Sequence, residues 1–158
     1  VTFRLTKTHQ LHLNYGAIKQ ELEKMNVTSP TIRDVSNAVI AIRSSKLPDP
    51  KVIGNAGSFF KNPEVQNATA DAIRKDYPDV VSYPVTEQTS KLAAGWLIEQ
   101  CGWKGKRIGN VGMHEKQALV LVNYGNATGA ELVEHAHRVQ QSVKEKFGVE
   151  LEMEVNLI

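Results

Sequence analysis

The chain has 158 residues, enough for one domain or one domain plus a piece of another. A chain of this length buries about 70% of its unfolded surface, so it needs neither disulfides nor a metal to fold. Nineteen basic against 17 acidic residues leave a net charge of +2, too balanced for charge alone to imply nucleic acid.

Hydrophobic residues make up 41% and charged residues 23%, the profile of a soluble globular protein. No apolar run approaches the roughly 18 residues of a membrane span. Cys101 is the single cysteine, which excludes an internal disulfide and makes the reducing cytoplasm the expected compartment.

Val1, Phe3 and Leu5 alternate with Thr2, Arg4 and Thr6, which predicts a strand rather than a signal peptide. The chain lacks a starting Met, and the expectation is a segment cut from something longer. Tyr15-Gly16 leads into a helix with Ile18, Leu22 and Met25 on one stripe. Ser29-Pro30 predicts the next helix start, followed by Ile32, Val35, Val39 and Ile42 at helical spacing. Leu47-Pro48-Asp49-Pro50 ends it in an extended connection.

Asn62-Pro63 reads as a third helix start, lined by Val65, Thr69, Ala72 and Ile73 and ended by Tyr77-Pro78. Val80-Val81 is a short apolar stretch, and Tyr83-Pro84 through Thr89 a polar loop. Ser90 is the expected cap of a helix over 91–101, with Gly102 as its terminating glycine. Residues 107–112 and 118–122 predict two strands joined by a polar turn. Thr128 with Glu131 fits a capping box, opening a helix whose apolar stripe is Leu132, Ala136, Val139, Val143 and Phe147, with Gly148 closing it. A terminal strand over 149–158 places Val149, Leu151, Met153, Val155 and Leu157 on one face and Glu150, Glu152, Glu154 and Asn156 on the other. Helices and short strands mix without a βαβ rhythm, which predicts an α+β fold: helices packed on a small mixed or antiparallel sheet.

The segment Gly54-Asn55-Ala56-Gly57-Ser58-Phe59-Phe60-Lys61-Asn62-Pro63 is too polar for a core strand and too aromatic for an ordinary loop. Its glycines permit close approach to the main chain, and Ser58, Lys61 and Asn62 supply a hydroxyl, a cation and an amide, so it reads as a substrate-contacting turn. Gly57-Ser58 is only half of a Gly-x-Ser-x-Gly elbow, because Phe60 takes the second glycine's place; a turn hydroxyl is the stronger local reading than a nucleophile. His9 with His12, and His135 with His137, lack zinc-like partners, which argues against a metal site. Lys46, Lys61 and Lys91 sit at element boundaries where lysines converge on phosphates, and helix starts near Asn62 and Ser90 would add N–H groups; ordinary surface lysines are the stronger local alternative. Glu154 is either a solvated glutamate or a catalytic carboxylate on a rigid strand. Neither a Gly-x-Gly-x-x-Gly after a strand nor a Walker-type loop is present.

Taken in order, Lys46-Leu47-Pro48-Asp49-Pro50, the ten-residue segment above, Lys91-Leu92-Ala93-Ala94-Gly95-Trp96-Leu97-Ile98-Glu99-Gln100 and Leu151-Glu152-Met153-Glu154-Val155 closely resemble the UDP-N-acetylenolpyruvoylglucosamine reductase family. The resemblance covers essentially the whole chain and implies the C-terminal, substrate-binding part of a flavoenzyme of peptidoglycan synthesis. In that family NADPH reduces FAD, hydride passes to the substrate's enol carbon, and a serine protonates the adjacent carbon while a glutamate and an arginine stabilise the intermediate. By motif, the resemblance implies catalytic roles for Ser58 and Glu154 and substrate contacts for Lys46, Asn62, Tyr83, Lys91 and Gln117.

The FAD-binding region, with the catalytic arginine and a further tyrosine, has no counterpart here. The resemblance therefore implies no tight FAD binding and no reduction by this chain alone, an N-terminal FAD domain as its partner, and a monomer at full length. Residues 1–45 and the final strand 149–158 are expected to pack on that domain, with 46–148 as the substrate-domain core. Met153 departs from a frequent proline. A non-catalytic UDP-sugar module and a serine hydrolase are the competing readings.

Overall fold

The computed structural model describes residues 1–14 and 16–158; the expected lead into the first helix at Tyr15 lies in part outside the described residues. The chain divides into two compact units, Val1–Lys46 and Leu47–Ile158.

The first unit is a helix pair, α1 (Ile18–Lys24) and α2 (Ile32–Lys46). Ile18, Leu22 and Ala38 are buried, with Leu13, Val27, Val35, Val39 and Ile42 packed on them, whereas Met25 and Ile32 of the predicted stripes are exposed. The cap of α2 is Thr31 rather than Ser29: the Asp34 N–H donates to Thr31 Oγ1 at 3.3 Å while the Thr31 N–H donates to Asp34 Oδ2 at 2.8 Å. This reciprocal pair fills two donors left open at a helix start. The Thr31 hydroxyl, which donates to Asp34 Oδ2 at 2.6 Å, and then the Thr31 N–H hold the Asp34 carboxyl below the ordinary carboxylate value. The strand predicted over 1–6 does not form; Val1, Phe3 and Leu5 are all exposed. Alternation specifies a strand only when a partner strand and a face to bury exist.

The second unit is α+β, as predicted. Its first sheet is antiparallel in the order β1 (Gly54–Ser58), β7 (Val120–Asn123), β6 (Val111–Met113), β5 (Arg107–Ile108). The second orders β2 (Glu64–Gln66), β4 (Thr89–Leu92), β3 (Ser82–Pro84), also antiparallel. Three helices complete it: α3 (Asn67–Asp76), α4 (Ala94–Gln100) and α5 (Gly129–Phe147). The apolar stripe of α5 buries Ala136, Val139, Val143 and Phe147 in one core with Leu97, Ile98, Met113 and Leu121. Its Thr128–Glu131 capping box forms as predicted, and Gly148 closes it in the left-handed conformation.

Four element predictions need correction. Asn62-Pro63 opens β2 and not a helix, and α3 begins at Asn67. Ser90 lies within β4, and the following helix starts only at Ala94. The predicted strand 107–112 folds on itself as the β5–β6 hairpin, turning at Gly109-Asn110. The terminal segment makes one antiparallel bridge, Phe60 to Met153, in place of a strand. Its alternation survives through Val149 and Leu151, buried, and Met153 and Val155, half-buried against the core, and lapses only at the exposed Leu157.

Candidate active site

Ser58 owes its position to a bulge. β1 pairs with β7 as Asn55 to Val122 and then Ser58 to Val120, so two residues of β1, Ala56 and Gly57, oppose one of β7. Asn55 Oδ1 accepts the Gly57 N–H at 3.1 Å, and Gly57 takes φ +76°, a backbone setting that strains any side-chain-bearing residue. An extra residue of this kind re-aims the next side chain, here the exposed Ser58.

Immediately after it, Phe59 and Phe60 are buried edge to face, their centroids 5.4 Å apart. They anchor the turn while its polar residues stay outside. On its other edge the same stretch meets the chain's end: the Glu154 N–H donates to the Phe59 carbonyl at 2.9 Å, and the Lys61 N–H to the Glu152 carbonyl at 2.9 Å. Ser58 and Glu154 thus sit on adjacent extended segments.

A cleft of about 620 Å³ opens beside this junction, lined by Lys61, Asn62, Pro63, Glu64, Lys91, Glu150, Glu152 and Glu154. Most of its charges are already matched. Lys61 pairs with Glu152, and Lys144 reaches Glu150 at 2.6 Å. That hydrogen bond and charge hold the Glu150 carboxyl below its ordinary value and the Lys144 ammonium above its own. Glu64 Oε1 accepts the Thr89 hydroxyl at 2.6 Å. Among the described residues, no ion pair or side-chain hydrogen bond engages Lys91 or Glu154. One cation and one carboxylate are therefore left to meet a ligand.

Tyr83 faces Lys91 across the β3–β4 ladder and is half exposed. A smaller cleft of about 290 Å³ shares Asn62 with the first and adds Gly95, Trp96, Lys116 and Gln117. Beneath it Trp96, Tyr77 and Phe147 pack ring on ring, with centroids 5.2 to 5.8 Å apart.

Of the site residues predicted from sequence, Asn62, Lys91 and Glu154 line the main cleft, Tyr83 opposes Lys91, and Gln117 lines the second cleft. Ser58 lines neither cleft but precedes the residue that hydrogen-bonds Glu154. Lys46 ends α2 in the first unit and is described with that unit. The helix starts expected at Asn62 and Ser90 as anion-binding N–H groups are absent, because both residues belong to the β2–β4 pairing region. Sequence reading missed the bulge at Ala56-Gly57, although Asn-x-Gly before an isolated serine was its available signal.

The sequence family described as UDP-N-acetylenolpyruvoylglucosamine reductase, C-terminal domain, matches residues 49–158. The chain belongs to this family. It is 56% identical over 99% of its length to UDP-N-acetylenolpyruvoylglucosamine reductase of Pseudomonas aeruginosa, and 55% identical over its full length to the reductase of that name from Flavobacterium johnsoniae. It spans 46% and 47% of those two proteins, so about half the length of the curated relatives it matches. A solved structure of the Thermus caldophilus reductase aligns with 78% of this chain and 34% of its own at 26% identity and a TM-score of 0.45. No helix among the described residues is long and apolar enough to cross a membrane.

Proposed function

We propose that the chain is the substrate-binding part of a cytoplasmic oxidoreductase that converts UDP-N-acetylenolpyruvoylglucosamine to UDP-N-acetylmuramate for peptidoglycan, using NADPH and FAD. The observation that carries this reading is the cleft of Asn62, Lys91 and Glu154, joined by one backbone hydrogen bond to the segment that presents Ser58. The family membership over residues 49–158 supports it.

The main cleft carries two lysines, an amide and four carboxylates, and no aromatic ring. That lining suits a polar, hydroxyl-rich ligand and does not fit an isoalloxazine. FAD is therefore assigned to the part of the relatives' length that this chain does not span, where it supplies hydride. The final segment 149–158 and residues 1–45 would pack beside that part, and 46–148 would hold the substrate.

What falls to this chain is binding, orientation and proton delivery. Lys91 and Tyr83 would hold the diphosphate and sugar. Asn62 and Gln117 would fix the ligand's register from the two clefts. Hydride addition to the enol carbon leaves an electron pair on the carbon next to the substrate carboxylate. The Ser58 O–H forms the new C–H bond there, and water then returns a proton to the serine oxygen. A hydroxyl is a weak acid, so this step needs a strongly basic carbon and a fixed donor, and the bulge with buried Phe59 and Phe60 supplies the fixity. Glu154 would line the reacting end and steady the charge that develops there.

Replacing Ser58 with Ala in the whole, flavin-loaded protein should leave flavin reduction by NADPH intact and lower substrate reduction by roughly 10²- to 10⁴-fold. Near-normal turnover would overturn the proton-donor role. A second reading, a non-catalytic UDP-sugar module, is favoured by Ser58 lying outside both clefts; it predicts UDP-GlcNAc binding that Ser58→Ala does not alter and no loss of turnover in the whole protein.

A further inference from the structure

The end of the chain is tied along two edges, and the two ties differ in kind. Successive carbonyls of an extended chain point to opposite sides. On one side the Glu152 carbonyl accepts the Lys61 N–H and the Glu154 N–H donates to the Phe59 carbonyl, both at 2.9 Å. The Leu151 carbonyl points away from that turn, to a side where the segment pairs with no strand among the described residues. A side chain of α5 stands in for the strand: Gln140 Nε2 donates to the Leu151 carbonyl at 2.6 Å. Among the described residues, no other side-chain hydrogen bond reaches the backbone of 149–158.

A carbonyl only accepts, so the atom that meets it is the carboxamide nitrogen. Gln140 Oε1 then faces His137 Nδ1, 2.9 Å away and one turn back on the same helix. An amide oxygen cannot donate, so Nδ1 carries the hydrogen. The half-buried Gln140 is thus held at both ends of its amide, on a helix that Val139 and Val143 bury on either side of it. Glu154 lies three residues beyond Leu151. Its side chain is exposed and unpaired among the described residues, so the backbone alone sets where its carboxylate stands. Met153 and Val155 pack on the core, but apolar contact has no direction, whereas a hydrogen bond does.

We infer that Gln140 is a positioning residue: it tethers the Leu151 carbonyl to α5 and so fixes the segment from which Glu154 enters the main cleft. The inference deepens the proposed function and rests on that reading for what Glu154 does. The tether stands on the hydrogen bond alone.

Met and Lys resemble Gln in stem and in helix propensity and differ in the terminal donor. Gln140→Met removes the tether, and Gln140→Lys restores a donor for the carbonyl. In the 158-residue chain, solvent exchange of the Glu154 amide should accelerate about 5-fold in Gln140→Met and return to within about 2-fold of the parent in Gln140→Lys, with the Val139 and Val143 amides unchanged. In the whole, flavin-loaded protein, Gln140→Met should lower kcat for substrate reduction roughly 10-fold, keep KM within about 2-fold and leave flavin reduction by NADPH intact. Gln140→Lys should recover most of that loss. Added to Glu154→Gln, Gln140→Met should cost nothing further, because it acts through that carboxylate.

An unchanged Glu154 exchange rate in Gln140→Met would overturn the tether. A fully additive loss in the double variant, or a raised KM with kcat kept, would overturn the positioning role. If Glu154→Gln alone turns over like the parent, the proposed role of Glu154 fails and takes the catalytic consequence with it, while the exchange rates still decide the tether.

Discussion

The two sheets of the second unit are built from opposite material. In the first, β6 is buried throughout, and Val120, Leu121 and Val122 of β7 are buried beneath α5. In the second, most residues of β2, β3 and β4 are exposed or half exposed, and only Leu92 is fully buried. The first sheet is held by what its two central strands hide, while its edge strands β1 and β5 are largely exposed. The second is held by ladder bonds, by Asn62, whose Oδ1 accepts the Ala94 N–H at the start of α4, and by Asn67, whose side chain ties Ser90 and the Glu87 carbonyl to the start of α3. Its outward residues, Glu64, Tyr83 and Lys91, are thereby free of packing duty. A protein that must meet a polar ligand keeps such a sheet beside a buried one.

Met113→Ala should break the first sheet most severely. Met113 is fully buried in β6 within the main core. Truncation removes its contacts and leaves a cavity, an expected loss of about 2–5 kcal/mol in urea unfolding. A loss below about 1 kcal/mol would mean that the core refills easily and is not closely packed around Met113. Gly112→Ala attacks the same strand by overfilling it. A Cβ at Gly112 would lie 2.8 Å from the Lys106 carbonyl oxygen and 3.1 Å from both Arg107 Cα and Tyr124 Cε2. Two of those atoms are backbone and cannot swing aside, so a loss of about 1–3 kcal/mol is expected by the same measurement.

The same contrast explains what was legible from residues alone. α5 and its capping box, most of the stripes of α1 and α2, and the strand near 118–122 were readable because burial imposes a period on the sequence. β2, β3 and β4 have three or four residues each and little burial, so they carry no period. Glu64-Val65 and Ser90-Lys91 become strand only because each meets the other across the ladder. The site divides likewise. Ser58, Asn62, Lys91 and Glu154 came from local motifs, whereas the bulge that aims Ser58 and the cap formed by Asn62 depend on partners more than 30 residues away.

A proton can probe the first sheet's neighbourhood. His135 on α5 is 4% exposed, and its Nε2 has no hydrogen-bond partner. It meets Trp103 edge to face at 5.1 Å, and the Lys106 ammonium lies 4.2 Å from the centre of that same ring. On its own helix the nearby charges are Glu131, Glu134 and Arg138, the last two ion-paired with each other. Burial first, then the charges of Arg138 and Lys106, push the imidazole below its ordinary 6.5. The unfolded chain therefore takes up this proton at a higher pH than the folded one. Stability from this group is complete above about pH 6.5 and declines as pH falls below it. The carboxyls of Asp34 and Glu131 are held below their ordinary values, so they titrate beneath this window. Urea midpoints should drop between pH 7.5 and 5.5, and His135→Leu should flatten that slope. An unchanged slope would assign the effect elsewhere.

The smallest stability effect should come from the second sheet, and it is the sharpest test of the contrast. Tyr83 sits on the edge strand β3, 54% exposed, with no hydrogen bond to its hydroxyl among the described residues. Its removal takes nothing from the core, so Tyr83→Ala should shift stability by no more than about 0.5 kcal/mol. Yet the ring lies opposite Lys91, the cation that no carboxylate neutralises in the main cleft. An exposed aromatic beside an unmatched cation offers the proposed UDP-sugar apolar contact area and a charge at one place. Tyr83→Ala should therefore weaken UDP-GlcNAc binding roughly 10-fold while its melting curve overlays that of the parent. If the variant unfolds as readily as Met113→Ala, the second sheet is a core element after all. If it binds as well as the parent, the exposed face of that sheet serves something other than this ligand.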